Sequence, residues 1–274
     1  MEDHIRDFIK KAVLILIKNT ASDKKIAHLV DKHKIKVHFV PIKYRIFGGL
    51  LQSMNIQFGN FIEQLLHIIV ENEEHLEINK EISGKRSIKL SITDRSEALV
   101  DEYITNCQNK SDFDTAILWE EFNNLLDKCL DIEMKTEIKN INIKHDIDVL
   151  FKDKHTNNIY YLEVKYNDDH DTGKYTDINR KFIKTYIGIS NIVGVYDKNV
   201  FKPILYYMTQ KRMKGNIYLP EKDNIYRGAK LFDEFFTIKY TALDELMRTI
   251  GDDSEIVSLF DDLYNDIRYN RNFK

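Results

Sequence analysis

The sequence predicts an α/β fold, a mixed β-sheet flanked by helices, with further helical regions toward both ends of the chain. The sheet is indicated by two neighbouring segments, 145–152 and 159–166, in which apolar and polar residues alternate around a turn at 153–158. The helices are indicated by apolar residues at helical spacing in 7–18, 55–71, 111–132 and 177–189. Hydrophobic residues make up 43% of the 274 residues, which is enough for a substantial core.

The first half of the chain is predicted to be mainly helical. In 55–71, one stripe of the helix carries Phe58, Ile62, Leu65, Leu66 and Ile69. The helix at 111–132 is expected to begin with a Ser-Asp cap. Residues 24–45 contain many lysines and three histidines, and Pro41 marks this stretch as partly irregular.

Strand patterns become frequent after residue 135. In order, the predicted elements are a first strand with imperfect alternation at 136–143, strands at 145–152 and 159–166, a helix at 177–189, and strands at 191–196 and 204–208. Helices rich in acidic residues are expected from there to the C-terminal end. An order of helix, hairpin, helix and strand is typical of a mixed α/β core.

The charge of the chain is unevenly distributed, although its formal net charge is only -3. Residues 134–230 contain 18 Lys and Arg against 12 Asp and Glu, a balance of +6, whereas the rest contains 23 against 32, a balance of -9. A basic middle on an acidic body suits a cleft that binds a polyanion such as DNA.

Cysteine content and hydropathy favour a cytoplasmic protein. The two cysteines, Cys107 and Cys129, form neither a metal-binding pair nor a disulfide framework, so nothing requires an oxidising compartment. The longest apolar run, 12–17, is six residues long, and a bilayer needs about 20. We therefore expect no membrane attachment.

Charged residues on the two clear strands form the candidate site. Side chains alternate between faces, so Glu163 and Lys165 share one face of their strand, and Asp146 and Asp148 share one face of theirs. If the turn centres between residues 155 and 156, Asp148 lies opposite Glu163 and Asp146 lies opposite Lys165. Cβ atoms of such cross-strand neighbours are roughly 4.5–5.5 Å apart. The hairpin would therefore gather three carboxylates and one ammonium group.

This combination points to metal-dependent hydrolysis of a phosphodiester. A divalent cation relieves the repulsion between close carboxylates, and Mg²⁺ prefers oxygen ligands. Lys165 would lie beside the attacking water and favour hydroxide. The alternative is an ordinary ion-pair ladder on an exposed hairpin. Glu-x-Lys also occurs at Glu133/Lys135 and Glu137/Lys139, but no acidic strand precedes those copies.

Two segments carry a resemblance to a known family. They read HDIDVLF and YYLEVKYNDDHDTGKYTDINRKFIKTY, and they resemble the catalytic segment of type II restriction endonucleases of the PD-(D/E)XK nuclease superfamily. The resemblance covers about residues 140–190. It extends more faintly to QSMNIQFGNFIEQL at 52–65 and to YRGAKLFDEFF at 226–236.

The resemblance implies a PD-(D/E)XK nuclease core that uses Mg²⁺ and cuts both DNA strands at a short, specific, palindromic site, usually as a homodimer. It assigns Asp148 and Glu163 as metal ligands and catalytic residues, and Lys165 as the catalytic lysine. It also implies a cognate DNA methyltransferase encoded nearby. The family's Pro-Asp is absent, because Ile147 precedes Asp148 and His145 precedes Asp146. Either aspartate could thus bind the metal, and Asp148 is favoured because it begins the apolar run.

A helix glutamate is a further candidate metal ligand. The resemblance implies that a helix carries a glutamate close to the metal, and Glu63 in GNFIE fits that helix. The alternative is a solvated glutamate on an amphipathic helix, which is the more common situation.

Candidate DNA contacts follow the second strand. In the loop 167–174, His170 and Lys174 would position the DNA backbone, or the loop would simply cap the next helix. That helix is expected to present a phosphate-binding edge, or a merely solubilising one, formed by Asn179, Arg180, Lys181 and Lys184.

The order of the predicted elements and the length of the chain suggest an organisation within one domain. Residues 1–110 would form a helical N-terminal region for DNA recognition or dimerisation, and 111–274 would form the catalytic nuclease core with C-terminal helices. Two other functions stay open at this stage, a repair or junction-resolving nuclease with the same hairpin and a catalytically inactive DNA-binding module.

Overall fold

The computed structural model describes residues 2–35, 37–110, 114–168, 172–212 and 217–269. The chain divides into two compact units. Met1–Phe61 and Ile238–Lys274 form one, called here the helical unit, and Ile62–Thr237 forms the other, the sheet unit. In the described residues, no helix is both long and apolar enough to cross a membrane.

The described residues form nine helices and seven strands. In chain order these are α1 (Glu2–Thr20), α2 (Asp23–Lys34), α3 (Ile42–Asn72), β1 (Leu76–Ile78), β2 (Gly84–Ile92), α4 (Asp94–Asn109), α5 (Thr115–Lys135), β3 (Ile141–Ile147), β4 (Val149–Asp153), β5 (Ile159–Lys165), α6 (Thr172–Val193), β6 (Phe201–Tyr207), β7 (Ile225–Arg227), α7 (Ala229–Phe235), α8 (Tyr240–Gly251) and α9 (Ser254–Tyr269).

A mixed five-stranded sheet organises the sheet unit, which confirms the predicted α/β fold. Its strand order is β1-β4-β5-β6-β7, with antiparallel pairing of β1 to β4 and β4 to β5 and parallel pairing of β5 to β6 and β6 to β7. Helix α6 connects the parallel strands β5 and β6, as a βαβ crossover requires. A separate antiparallel pair, β2 and β3, packs against α6.

Side-chain caps fix two helix starts. Thr93 caps α4 by accepting a hydrogen bond from the Ser96 amide, and Asp114 caps α5 by accepting from the amides of Ala116 and Ile117. The Ser-Asp cap predicted at 111–112 lies outside the described residues. Helix α5 begins four residues later than predicted, at Thr115, because Asp114 satisfies its first free amides.

The structure corrects three predicted elements. The predicted strands at 136–143 and 145–152 are instead β3 and β4, which are separated at Asp148. The predicted strand at 191–196 is wrong, because residues up to Val193 continue α6 and Gly194, with a φ of +68°, ends it. The predicted helical N-terminal region also contains β1 and β2, and the IKLSI segment of β2 alternates apolar and polar residues as a strand does. Residues 62–110 therefore belong to the same unit as the catalytic candidates.

Close packing of α6 on β2 gives a stability prediction. A Cβ atom at Gly188 would lie 2.8 Å from Cβ of Leu90, which is fully buried. We expect Gly188→Ala to destabilise the protein by about 1–3 kcal/mol, because overpacking outweighs the better helix propensity of alanine. Gly59→Ala is the matched control, since α3 offers an open space there. Urea unfolding measures both variants, and equal midpoints would contradict the prediction.

Candidate active site

A buried group of charged side chains lies where β3 gives way to β4 and where β5 ends. Asp148 occupies the break between β3 and β4, and Glu163 and Lys165 lie on β5. The pairing of Val149 with Leu162 sets the register of the hairpin, so the next position places Asp148 opposite Glu163. The alternating pattern and the turn length predict this same register.

Glu163 is held by two hydrogen bonds on different oxygens. Its Oε1 accepts from Nζ of Lys165 at 2.7 Å, and its Oε2 accepts from the hydroxyl of Tyr161 at 2.7 Å. Burial raises the pKa of Glu163, but Lys165, His145 and these hydrogen bonds together lower it below its ordinary value. Glu163 is therefore an ionised carboxylate at neutral pH.

Asp148 is the second buried carboxylate, with 8% of its surface exposed. Its Oδ2 accepts a hydrogen bond from the backbone amide of Val164 at 2.7 Å. Burial and then the negative charge of Glu163 raise the pKa of Asp148 well above its ordinary value. A nearby cation would remove this electrostatic cost.

Lys165 remains a charged ammonium group. Burial alone lowers its pKa, but Glu163 and Asp148 raise it above its ordinary value. A lysine that holds its proton so firmly cannot serve as a general base. It can donate hydrogen bonds and stabilise negative charge that develops during a reaction.

Helix α3 brings Glu63 close enough to interact with this group. Burial raises the pKa of Glu63, and the positive charges of Lys85 and Lys165 oppose that effect. The negative charges of Glu163 and Asp146 raise it further. Glu63 thus adds a third negative group to the surroundings of Lys165.

Asp146 does not lie across from Lys165, so that predicted pairing is wrong. The strand is interrupted at Asp148, and β3 pairs with β2 rather than extending the hairpin. Oδ1 of Asp146 accepts a hydrogen bond at 2.6 Å from the amide of Ser87, which has a positive φ of 49° at the irregularity in β2. Asp146 therefore has a structural role at this irregularity, and it remains close enough to affect Glu63.

The predicted DNA contacts on α6 occupy different surroundings. Asn179 is fully buried and its amide donates to the carbonyl of Tyr175 at 2.9 Å, which argues against a phosphate contact. Arg180 and Lys184 form ion pairs with Asp101 on α4 at 3.0 Å. Lys174 and Lys181 lie on the surface, and His170 lies outside the described residues.

Sequence reasoning missed three buried residues around Glu163. They are Tyr161 on β5, His145 on β3 and Thr185 on α6. Nδ1 of His145 lies 2.7 Å from Oγ1 of Thr185, and its Nε2 lies 3.9 Å from Oε1 of Glu163. Strand alternation could have identified Tyr161, which shares a face with Glu163. No local pattern connects Thr185 with the site.

The buried carboxylates fit a magnesium ion. Among the side chains that the structure describes, no three Asp, Glu, His or Cys groups converge to enclose a metal. Mg²⁺ does not need such a cage, because it takes one or two carboxylates and keeps water or phosphate as its other ligands. Asp148 and Glu163, which lie opposite each other with unfavourable like charges, would provide those two carboxylates.

Comparison with known proteins finds similarity over nearly the whole chain. The model of the HinfI type II restriction endonuclease family matches residues 1–251. The type II restriction enzyme HinfI of Haemophilus influenzae is 46% identical over 273 residues, which cover 97% of this chain and 98% of that enzyme. No solved structure matches the chain. The mixed sheet with flanking helices is consistent with the PD-(D/E)XK fold expected for such enzymes. The chain therefore belongs to the HinfI family of type II restriction endonucleases.

Proposed function

We propose that this restriction endonuclease requires Mg²⁺ and cuts both strands of DNA at a short palindromic site. The observation that carries the proposal is the facing pair of buried carboxylates, Asp148 and Glu163, with the ammonium group of Lys165 2.7 Å from one of them. An inactive DNA-binding module would not need these charges, whose burial raises the pKa of Asp148.

Asp148 and Glu163 would hold the metal, and Glu63 and Asp146 are the further candidates. When bound, Mg²⁺ would neutralise charge on the phosphate and stabilise the leaving oxygen. Lys165 would donate a hydrogen bond to the attacking water and stabilise negative charge on the phosphate. Because it keeps its proton, Lys165 would orient this water rather than deprotonate it.

The plasmid assay tests the proposed reaction. Purified protein is incubated with unmethylated plasmid and Mg²⁺, and the chelator EDTA supplies the metal-free control. Discrete fragments only with Mg²⁺ are expected. Nicking confined to branched DNA would indicate a junction-resolving enzyme instead, and binding without cleavage would indicate the inactive module.

The remaining assignments concern partners and surfaces. A homodimer would match a two-fold symmetric site, and residues 1–110 would contribute to recognition or dimerisation. We place the enzyme in the cytoplasm with a cognate methyltransferase that protects the host DNA. Lys174 and Lys181 are the proposed phosphate contacts, joined by His170, whereas Arg180 and Lys184 would first have to leave their ion pairs with α4. Sedimentation with and without DNA measures the oligomeric state.

Replacement of Glu63 tests whether α3 contributes to metal binding. We expect Glu63→Gln to raise the Mg²⁺ concentration for half-maximal cleavage by about 10-fold, as loss of a supporting carboxylate does at other metal sites. Glu71→Gln is the matched control on the same helix, where the carboxylate pairs with Lys80 at 3.1 Å. If both variants have the Mg²⁺ dependence of the wild type, Glu63 has no part in the metal site.

A further inference from the structure

A chain of buried polar groups leads away from Glu163 into the core of the sheet unit. Tyr161 lies two residues earlier on β5, and its hydroxyl donates to Oε2 of Glu163. Its ring stacks on Phe182 of α6, with centroids 5.4 Å apart and 23° between the planes. Tyr161 is fully buried, so its hydroxyl has a fixed position.

The chemistry of Glu163 sets the direction of its hydrogen bond with Tyr161. An ionised Glu163 can only accept, so the Tyr161 hydroxyl must donate to it. A second buried hydrogen bond lies beside this one, between Oγ1 of Thr185 and Nδ1 of His145 at 2.7 Å.

His145 lies between Thr185 and Glu163. Its Nε2 lies 3.9 Å from Oε1 of Glu163. The three residues come from three different elements, β5, α6 and β3, and all are held by packing.

The two oxygens of Glu163 are consequently unequal. Oε2 is fixed by the buried phenol of Tyr161, and a shift of this oxygen would leave the hydroxyl without its acceptor. Oε1 accepts a hydrogen bond from the flexible, half-buried side chain of Lys165 and lies 3.9 Å from Nε2 of His145. Only Oε1 can turn toward an incoming cation without breaking the buried chain.

We propose that Tyr161, supported by Thr185 and His145, is a positioning residue that holds Oε2 of Glu163 so that Oε1 is presented to the metal. This inference rests on the proposed role of Glu163 as a metal ligand. Supporting hydrogen bonds of this kind commonly change metal affinity by about 10–100-fold.

Tyr161→Phe tests the proposal, because it keeps the ring and removes only the hydroxyl. Mn²⁺, used as a probe for Mg²⁺, is titrated into the DNA-free protein, and the free ion is counted by electron paramagnetic resonance. We expect Mn²⁺ affinity to fall about 10-fold, with a matching rise in the Mg²⁺ concentration for half-maximal cleavage. Tyr186→Phe is the matched control, since this buried hydroxyl donates to the carbonyl of Phe201 instead. Equal Mn²⁺ affinity of Tyr161→Phe and wild type would overturn the proposal.

A second pair of variants covers the case in which Tyr161→Phe does not fold. Thr185→Val removes the hydroxyl while nearly keeping the shape, and Thr185→Ser restores it. We expect Val to weaken Mn²⁺ binding and Ser to recover it, and equal affinities would count against the proposal. Glu163→Gln separates the two hypotheses. If this variant binds Mn²⁺ as tightly as the wild type, the proposed metal site fails. If Glu163→Gln binds weakly while Tyr161→Phe and Thr185→Val bind normally, the metal site stands and only the positioning role is excluded.

Discussion

Lys165→Ala is expected to slow DNA cleavage by at least about 100-fold at saturating Mg²⁺ and to leave DNA affinity nearly unchanged. The size of the effect follows from what one positioned hydrogen-bond donor that stabilises developing negative charge usually contributes, about 100–1000-fold in rate. The structure explains why this substitution should affect cleavage and not DNA affinity. The ammonium group is 2.7 Å from Glu163 and stays protonated, so under the proposed mechanism its loss would remove charge stabilisation at the reacting phosphate.

Single-turnover cleavage and fluorescence anisotropy separate the two effects. Lys144→Ala is the matched control, because this exposed lysine on β3 carries the same charge outside the buried group. Both variants lose one positive charge, so a general electrostatic effect on DNA binding would be equal in the two. Near-normal cleavage by Lys165→Ala would remove this lysine from the mechanism.

Arg227→Met is expected to have the largest effect on stability, about 3–5 kcal/mol, because it removes the guanidinium that pairs with a buried carboxylate. Nη1 of Arg227 lies 2.8 Å from Oδ2 of Asp168, which is 1% exposed, and Nη2 lies 3.1 Å from Oε1 of Glu221. The guanidinium also covers the ring of Tyr207 at 4.7 Å. This contact ties the segment that follows β5 to the end of β7.

Urea unfolding provides the measurement. Arg180→Met is the control, because its ion pair with Asp101 is more exposed and exposed pairs contribute about 0–1 kcal/mol. Adding Asp168→Asn to Arg227→Met should recover part of the loss, since it removes the buried negative charge that Arg227 balances in the wild type. A loss in Arg227→Met as small as that in Arg180→Met would show that Asp168 is compensated elsewhere.

The sequence predicted the catalytic hairpin because every determinant of its register is local. The alternation on both strands and the length of the turn together place Asp148 opposite Glu163. The position of Asp146 was predicted wrongly because it depends on a distant strand. Strand β2 draws β3 out of the hairpin, and no pattern near Asp146 signals this competition.

Contacts between elements that are distant in the sequence could not be predicted from local patterns either. The basic residues around Lys184 suggest a DNA-binding edge, but the ammonium group of Lys184 binds carboxylates of α4, a contact that exists only after the helices pack. Thr185, its neighbour in the sequence, turns inward toward His145. Helical periodicity identifies which face is buried, but it does not indicate which buried polar groups meet.

The break in the strand at Asp148 has a practical consequence for anyone who needs an inert form of this enzyme for crystallisation with DNA. The Asp148 carboxylate accepts a hydrogen bond from the amide of Val164 just where the chain passes from one sheet to the other. Asp148→Ala would remove both the carboxylate proposed to bind the metal and the acceptor of the Val164 hydrogen bond. Asp148→Asn would remove the negative charge but keep an amide oxygen that can accept from Val164, so it is the better inactive variant.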